Sequence, residues 1–178
     1  VELAVELINR VKKGDRRAQR ALYDTYSAKM YGVCLRYFPK SEVAKDILHD
    51  GFIKVFTSIS SFRGDGSLEG WIRRIIVNTA LEHIRKSKGY NEVELKNVVG
   101  IEAQSLINDL DMPFYLKIVD ELPPQYKLVF NLYAIDDFTH AEIAELLGIT
   151  VSTSKSNYSR AKAILRKRLK SIVDRSYV

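Results

Sequence analysis

Three groups of side chains have the types and spacing for molecular recognition. In residues 43–58, Lys45, Asp46, His49, Asp50 and Lys54 stand at i, i+1, i+4, i+5 and i+9, which on a helix gathers them into one charged strip. Further on, Ser60-Ser-Phe-Arg-Gly-Asp-Gly-Ser67 is dense in turn formers and is followed by Arg73, Arg74, Asn78, Arg85 and Lys86. Such a loop turns the chain into a helix that exposes this amide and these cations. Near the C-terminus, Thr153, Lys155, Ser156, Asn157, Ser159, Arg160 and Lys162 combine short polar groups with positive charge, the side-chain chemistry of a helix lying in the major groove.

Catalysis is not expected. The chain shows no nucleophile paired with a base, no paired carboxylates on a recognisable scaffold and no glycine loop of the kind that feeds an ATPase. Its one cysteine, Cys34, cannot form an internal disulfide, and the three histidines lack metal-ligand spacing. Neither a metal nor another cofactor is expected. Cys34 and Trp71 read as core, and His83 and His140 as surface or locally hydrogen-bonded residues. No apolar run reaches the roughly 18 residues of a membrane span and no signal peptide is apparent, so a reducing cytoplasm is the expected compartment.

The elements that must position these groups are helices. Residues 3–12 form a short one stopped by Gly14, and Asp15 caps the next, which runs to about Tyr37 before Pro39. Ala44, Ile47, Leu48, Phe52, Val55, Phe56 and Ile59 mark the apolar face opposite the charged strip. Ser67 caps a helix with Ile72, Ile75, Ile76 and Ile84 inward. A further helix spans about 114–122, breaks at Pro123-Pro124 and resumes over 125–135, with Leu128, Val129, Leu132 and Tyr133 inward. Thr139-His-Ala-Glu142 matches a capping box. Gly148 makes the turn into a last helix that starts at Ser152 or Thr153 and ends near Ile172, completing a helix-turn-helix.

The fold expected is all-α, with two small helical domains joined by a flexible acidic linker: 1–86, linker 87–112, and 113–178. Charge follows this division. Net charge is +6 overall; residues 1–86 carry 16 basic and 10 acidic groups, 87–121 carry 3 and 7, and 122–178 carry 9 and 5. Two basic blocks flanking an acidic connector suit a polyanionic partner.

Asp46-Ile-Leu-His-Asp-Gly-Phe52, Phe62-Arg-Gly, Trp71-Ile-Arg-Arg-Ile-Ile-Val-Asn78 and Arg85-Lys86 resemble regions 2.2 to 2.4 of extracytoplasmic-function sigma factors of bacterial RNA polymerase. Leu122-Pro-Pro-Gln-Tyr126, Glu142-Ile-Ala-Glu-Leu-Leu-Gly148 and Thr153-Ser-Lys-Ser156 through Arg160-Ala161 are similar to region 4. The resemblance implies that the chain binds core polymerase, at the clamp helices of the largest subunit and at the β flap, and aims it at promoter DNA.

Asp46, His49, Asp50 and Phe52 would contact polymerase. Ser61, Phe62, Arg63, Gly64, Asp65, Arg74, Asn78 and Arg85 would bind the −10 element and assist its melting. Thr153, Lys155, Ser156, Asn157, Ser159, Arg160 and Lys162 would read the −35 element. An anti-sigma factor, typically membrane-linked, is a further implied partner.

The family more often has Gln at 49, an inward Val at 154, Leu at 158 and Arg at 157. Asn157 would therefore shift base preference toward adenine, the buried Ser154 hydroxyl needs a partner, and the Tyr158 ring needs room. Two other readings compete on the residues alone: a dimeric helix-turn-helix regulator that never meets polymerase, and an all-helical adaptor module.

Overall fold

The computed structural model of the chain describes residues 2–87 and 118–176. The chain divides into two compact units, 1–89 and 90–178, and the described residues are helical in both. The proposed linker, 87–112, lies almost wholly outside the described residues.

In the first unit α1 spans Glu2–Lys12, α2 Arg16–Tyr37, α3 Ser41–Ser58 and α4 Leu68–Ser87, with a short 3-10 turn at Ile59–Ser61. Each boundary has a local cause. Gly14 takes a positive φ of 78° after α1, a conformation that costs glycine nothing. The Asp15 side chain accepts from the Arg17 and Ala18 amides at the start of α2. Arg10 also donates to this carboxylate and, with those amides, holds it below the usual 3.8. Pro39 follows the end of α2, and the Ser67 hydroxyl accepts from the Gly70 amide to open α4.

Leu22, Met30 and Cys34 of α2, Ala44, Ile47 and Val55 of α3, and Ile72, Ile76 and Val77 of α4 build the core. Burial pushes the Cys34 thiol up to about 12, so it is an inert apolar filler. Where α3 meets α4, a Cβ added at Gly51 would stand 2.4 Å from Ile76 Cδ1 and 3.6 Å from the Ile76 Cα. Glycine therefore leaves room for the end of the Ile76 side chain at this crossing. Glu69 links α4 to α2: Lys29 donates to it at 2.7 Å and Arg73 at 2.8 Å, and the two cations hold its carboxyl below 4.5.

In the second unit residues 118–120 are helical, α5 spans Pro124–Phe130 and runs into a π turn at Asn131–Ile135, α6 spans His140–Leu147 and α7 Val151–Ser176. Pro124 sits in the first turn of α5, where its missing N–H costs no intrahelical bond. Lys127, 3% exposed, pairs with Asp120 and so ties α5 to the helical residues before it. Val119, Leu122 and Ala161 pack with Tyr126, Phe130, Ile164 and Leu165, seating α7 on α5.

Three sequence expectations need correction in this unit. The helix after the prolines ends in a π turn, because the Asp136 amide reaches back to the Asn131 carbonyl. Tyr133 lies at the surface of that turn and not inside. The last helix begins at Val151, one residue before the earlier of its two expected starts, because Thr150 supplies the cap: its hydroxyl accepts from the Thr153 amide at 3.0 Å.

Replacing Gly51 with Leu is expected to lower the unfolding free energy of the first unit by about 1–3 kcal/mol, the usual cost of overpacking. Urea denaturation followed by circular dichroism measures it; an unchanged midpoint would show that the α3/α4 crossing tolerates a wider spacing.

Candidate nucleic-acid interface

On α3, Asp46, His49 and Asp50 stand exposed in one row, with Ile53 beside them, itself half exposed. Two pairs tie the flank of this row to α4. Asp50 Oδ2 lies 3.0 Å from His83 Nε2, and Lys54 donates to Glu82 at 2.7 Å. Phe52 does not belong to the exposed row. It is 2% exposed, with its ring 4.7 Å from that of Tyr23 and 6.0 Å from that of Phe56. Position 52 lies two residues beyond Asp50, about 200° around the helix, which turns it into the core.

The loop between α3 and α4 is built from below. Phe62, expected to bind the −10 element, is 9% exposed; its ring lies 5.5 Å from Trp71, and its carbonyl accepts from the Lys12 ammonium at 2.9 Å. An apolar ring gains more by leaving water than by staying in it, so Phe62 anchors the loop and leaves its neighbours outside. Ser61, Arg63, Gly64, Asp65, Gly66 and Ser67 are all exposed. Gly64 has φ 86°, which reverses the chain at the tip and favours glycine there.

On α4, Arg74, Arg85 and Lys86 are exposed and Arg73 is half-buried against Glu69. Asn78, expected on the exposed side, is only partly exposed, and its Oδ1 is a buried acceptor with no hydrogen-bond partner among the described residues. A buried carbonyl oxygen left unpaired costs about 1–3 kcal/mol.

In the second unit the capping box at Thr139 is complete. Thr139 Oγ1 accepts from the Glu142 amide, and Glu142 accepts from the Thr139 amide. Gly148, with φ 65°, closes α6 and makes the turn. On α7 the side chains of Thr153, Lys155, Ser156, Ser159 and Arg160 are exposed. Some of these are already engaged: Thr153 with the Thr150 hydroxyl at 2.8 Å, Ser156 with the Thr153 carbonyl, Arg160 with the Tyr126 hydroxyl at 3.3 Å. Lys162 is half-buried, its ammonium 4.7 Å above the Tyr158 ring.

Asn157, expected among the exposed readers, is 7% exposed. Ser154, Asn157, Tyr158 and Ala161 are spaced i, i+3, i+4, i+7, which is the inward row of this helix. Asn157 lines a cleft of about 110 Å³ with Leu128, Val129, Leu147 and Ile149. A shift of base preference through Asn157 therefore has no structural basis.

Both unusual neighbours of Asn157 find what they need. The buried Ser154 hydroxyl lies 2.9 Å from His140 Nδ1. Tyr158 fits among Phe130, Tyr133 and His140, with ring centroids 6.0, 4.6 and 5.9 Å away, and the His140 ring stacks on Tyr133 at 4.1 Å. Burial, and then the nearby Lys155 charge, hold His140 below its usual 6.5. Sequence reasoning found the need at Ser154 but not its partner, which is fourteen residues away and on another helix.

Among the described residues no cluster of His, Cys, Asp and Glu could hold a metal ion, and no helix is long and apolar enough to cross a membrane.

Residues 22–89 match the family described as sigma-70 region 2, and residues 115–165 match sigma-70, region 4. The chain is 32% identical to the ECF RNA polymerase sigma factor SigW of Bacillus subtilis, over 93% of this chain and 96% of that one. It is 26% identical to the ECF RNA polymerase sigma-E factor of Escherichia coli, with 95% of each covered. Among solved structures it is similar to the sigma factor RpoE of Bartonella quintana, determined in complex with the anti-sigma factor NepR. There the TM-score is 0.52 at 21% identity, over 85% of this chain and 96% of that one.

Because His140 has its pKa lowered by folding, the unfolded chain takes up the proton first. Its contribution to stability is then present above about pH 6.5 and lost as pH falls through the folded value. An NMR titration of the full chain is expected to place the His140 midpoint below 6.5, and His140→Gln to flatten the acid-side decline in thermal stability of the second unit.

Proposed function

Since the chain belongs to the extracytoplasmic-function RNA polymerase sigma factors, a promoter-recognition family, we propose that residues 1–86 bind core polymerase and the −10 element, and residues 113–178 the −35 element. Sigma factors as a family are not enzymes, and in this reading the chain does no catalysis of its own. The exposed row Asp46, His49 and Asp50 on α3 meets the clamp helices of the largest subunit, while the second unit meets the β flap. Phe52 supports that row from beneath.

Ser61, Arg63, Gly64 and Asp65 shape the loop that receives a base of the non-template strand. Asn78 supplies an acceptor, and Arg74 and Arg85 lie along phosphates. Holding an unstacked base offsets part of the cost of strand separation, so melting requires no nucleotide hydrolysis by this protein. The observation that carries this part of the reading is the exposed loop of Ser61, Arg63, Gly64 and Asp65, held from below by the buried Phe62, with the partly exposed Asn78 on α4. Lys155, Ser159 and Ser156, with Thr153, Arg160 and Lys162, face the −35 duplex, where cations position on phosphates and short polar groups read base edges.

An anti-sigma factor completes the picture. RpoE of Bartonella quintana was determined with one bound, and a comparable partner would cover the surfaces named above and provide any hold at the membrane. A dimeric operator-binding regulator loses its support, because such a protein has no use for a region 2.

Two outcomes test the assignment. Asp46→Arg with Asp50→Arg is expected to weaken core polymerase binding by more than about tenfold through charge reversal at a contact, with helix content unchanged; wild-type affinity would remove α3 from the interface. Asn78→Ala is expected to slow opening of duplex promoter by about tenfold, the worth of one hydrogen bond, while transcription from a premelted template stays near wild type. Equal defects on both templates would argue against a role in melting.

A further inference from the structure

We propose that His83 is a positioning residue for polymerase binding: from α4 it holds the Asp50 carboxylate of α3 in the row presented to polymerase. This rests on the reading of the α3 row given above and goes beyond it, because His83 itself lies on the helix assigned to the promoter.

The geometry favours presentation over concealment. His83 Nε2 engages one oxygen, Asp50 Oδ2, at 3.0 Å, and the Asp50 side chain remains 51% exposed. One oxygen is held, and half of the side-chain surface stays open to a partner. The His83 side chain is the more buried of the two, at 33% exposure, and it springs from a helix whose neighbouring Leu81 and Ile84 are in the core. The anchor is thus the stiffer member of the pair. One turn along α3, Lys54 and Glu82 make a second link between the same helices at 2.7 Å, which limits sliding of one against the other.

A carboxylate already held in its binding rotamer loses less freedom when the partner arrives. The pair is exposed to water, where such pairs add little to folding stability, so its effect falls on binding and not on the fold.

The experiment uses the full chain with core RNA polymerase of Bacillus subtilis, measuring affinity and, separately, the thermal unfolding midpoint. His83→Ala is expected to weaken core binding about three- to tenfold, the span for freeing one side chain, with the unfolding midpoint unchanged. His83→Gln, whose amide can donate to the same oxygen, is expected to restore most of the affinity. In an Asp50→Ala background His83→Ala is expected to have no further effect.

Tighter binding by His83→Ala would mean that His83 sequesters Asp50, and would overturn the proposal. So would a loss that Gln does not rescue, a loss that persists without Asp50, or a loss matched by a fall in the unfolding midpoint; these leave the α3 row standing if Asp50→Ala alone weakens binding. Wild-type affinity of Asp50→Ala would overturn the proposal together with the reading of that row.

Discussion

In the first unit α3 and α4 meet where Gly51 faces Ile76 in the apolar core. A side chain at 51 would meet the end of the Ile76 side chain, and the two helices carry the residues proposed for binding: the acidic row on α3, the loop end and Asn78 on α4. The apolar layer beneath, including Ile47, Val55, Ile72 and Ile76, supplies the stabilisation, at roughly 25 cal/mol for each Å² removed from water. The pairs that cross at the rim, Asp50 with His83 and Lys54 with Glu82, are too exposed to add much. Their influence is on orientation.

The second unit solves a different problem with less apolar material. Its recognition helix turns Ser154 and Asn157 inward, where polar groups are costly unless satisfied. Ser154 is satisfied by His140, and His140 is in turn sandwiched by its stack on Tyr133 and its contact with Tyr158. The serine and the tyrosine, each unusual alone, form one arrangement: the small hydroxyl leaves space for an imidazole, and the larger ring encloses it. Lys127 and Asp120 form another polar tie in the same unit, between α5 and the residues that precede it.

How much of this was legible in the sequence depends on whether a residue's signal is local. Gly14, Asp15, Ser67, the Thr139 box and Gly148 act through backbone geometry within a few residues, and each does what its type and position suggest. The row Asp46, His49 and Asp50 could be read because its opposite face is apolar. Phe52 marks the apolar face by its spacing and is also expected to touch polymerase because it adjoins residues of the sigma-factor motifs, yet adjacency in sequence rotates a helical side chain by about 100° per residue. Asn157 misled for the opposite reason: a polar side chain suggests an outward face, and only the row through Ser154 and Ala161 shows that it points in. The bonds of His83 to Asp50 and His140 to Ser154 join residues 33 and 14 apart, and spacing within one helix gives no signal for them.

The inward row of α7 also separates two tasks along a single helix. Ser154, Asn157, Tyr158 and Ala161 hold the helix in place, while Lys155, Ser156 and Ser159 lie outside that row and bear no load in the packing. Substitutions at the outer positions therefore leave the scaffold almost indifferent, so the surface proposed to face the −35 duplex is free to vary without loss of the fold. The same partition limits that freedom at the holding positions, where a change at 154 removes the hydroxyl that His140 meets from the neighbouring helix.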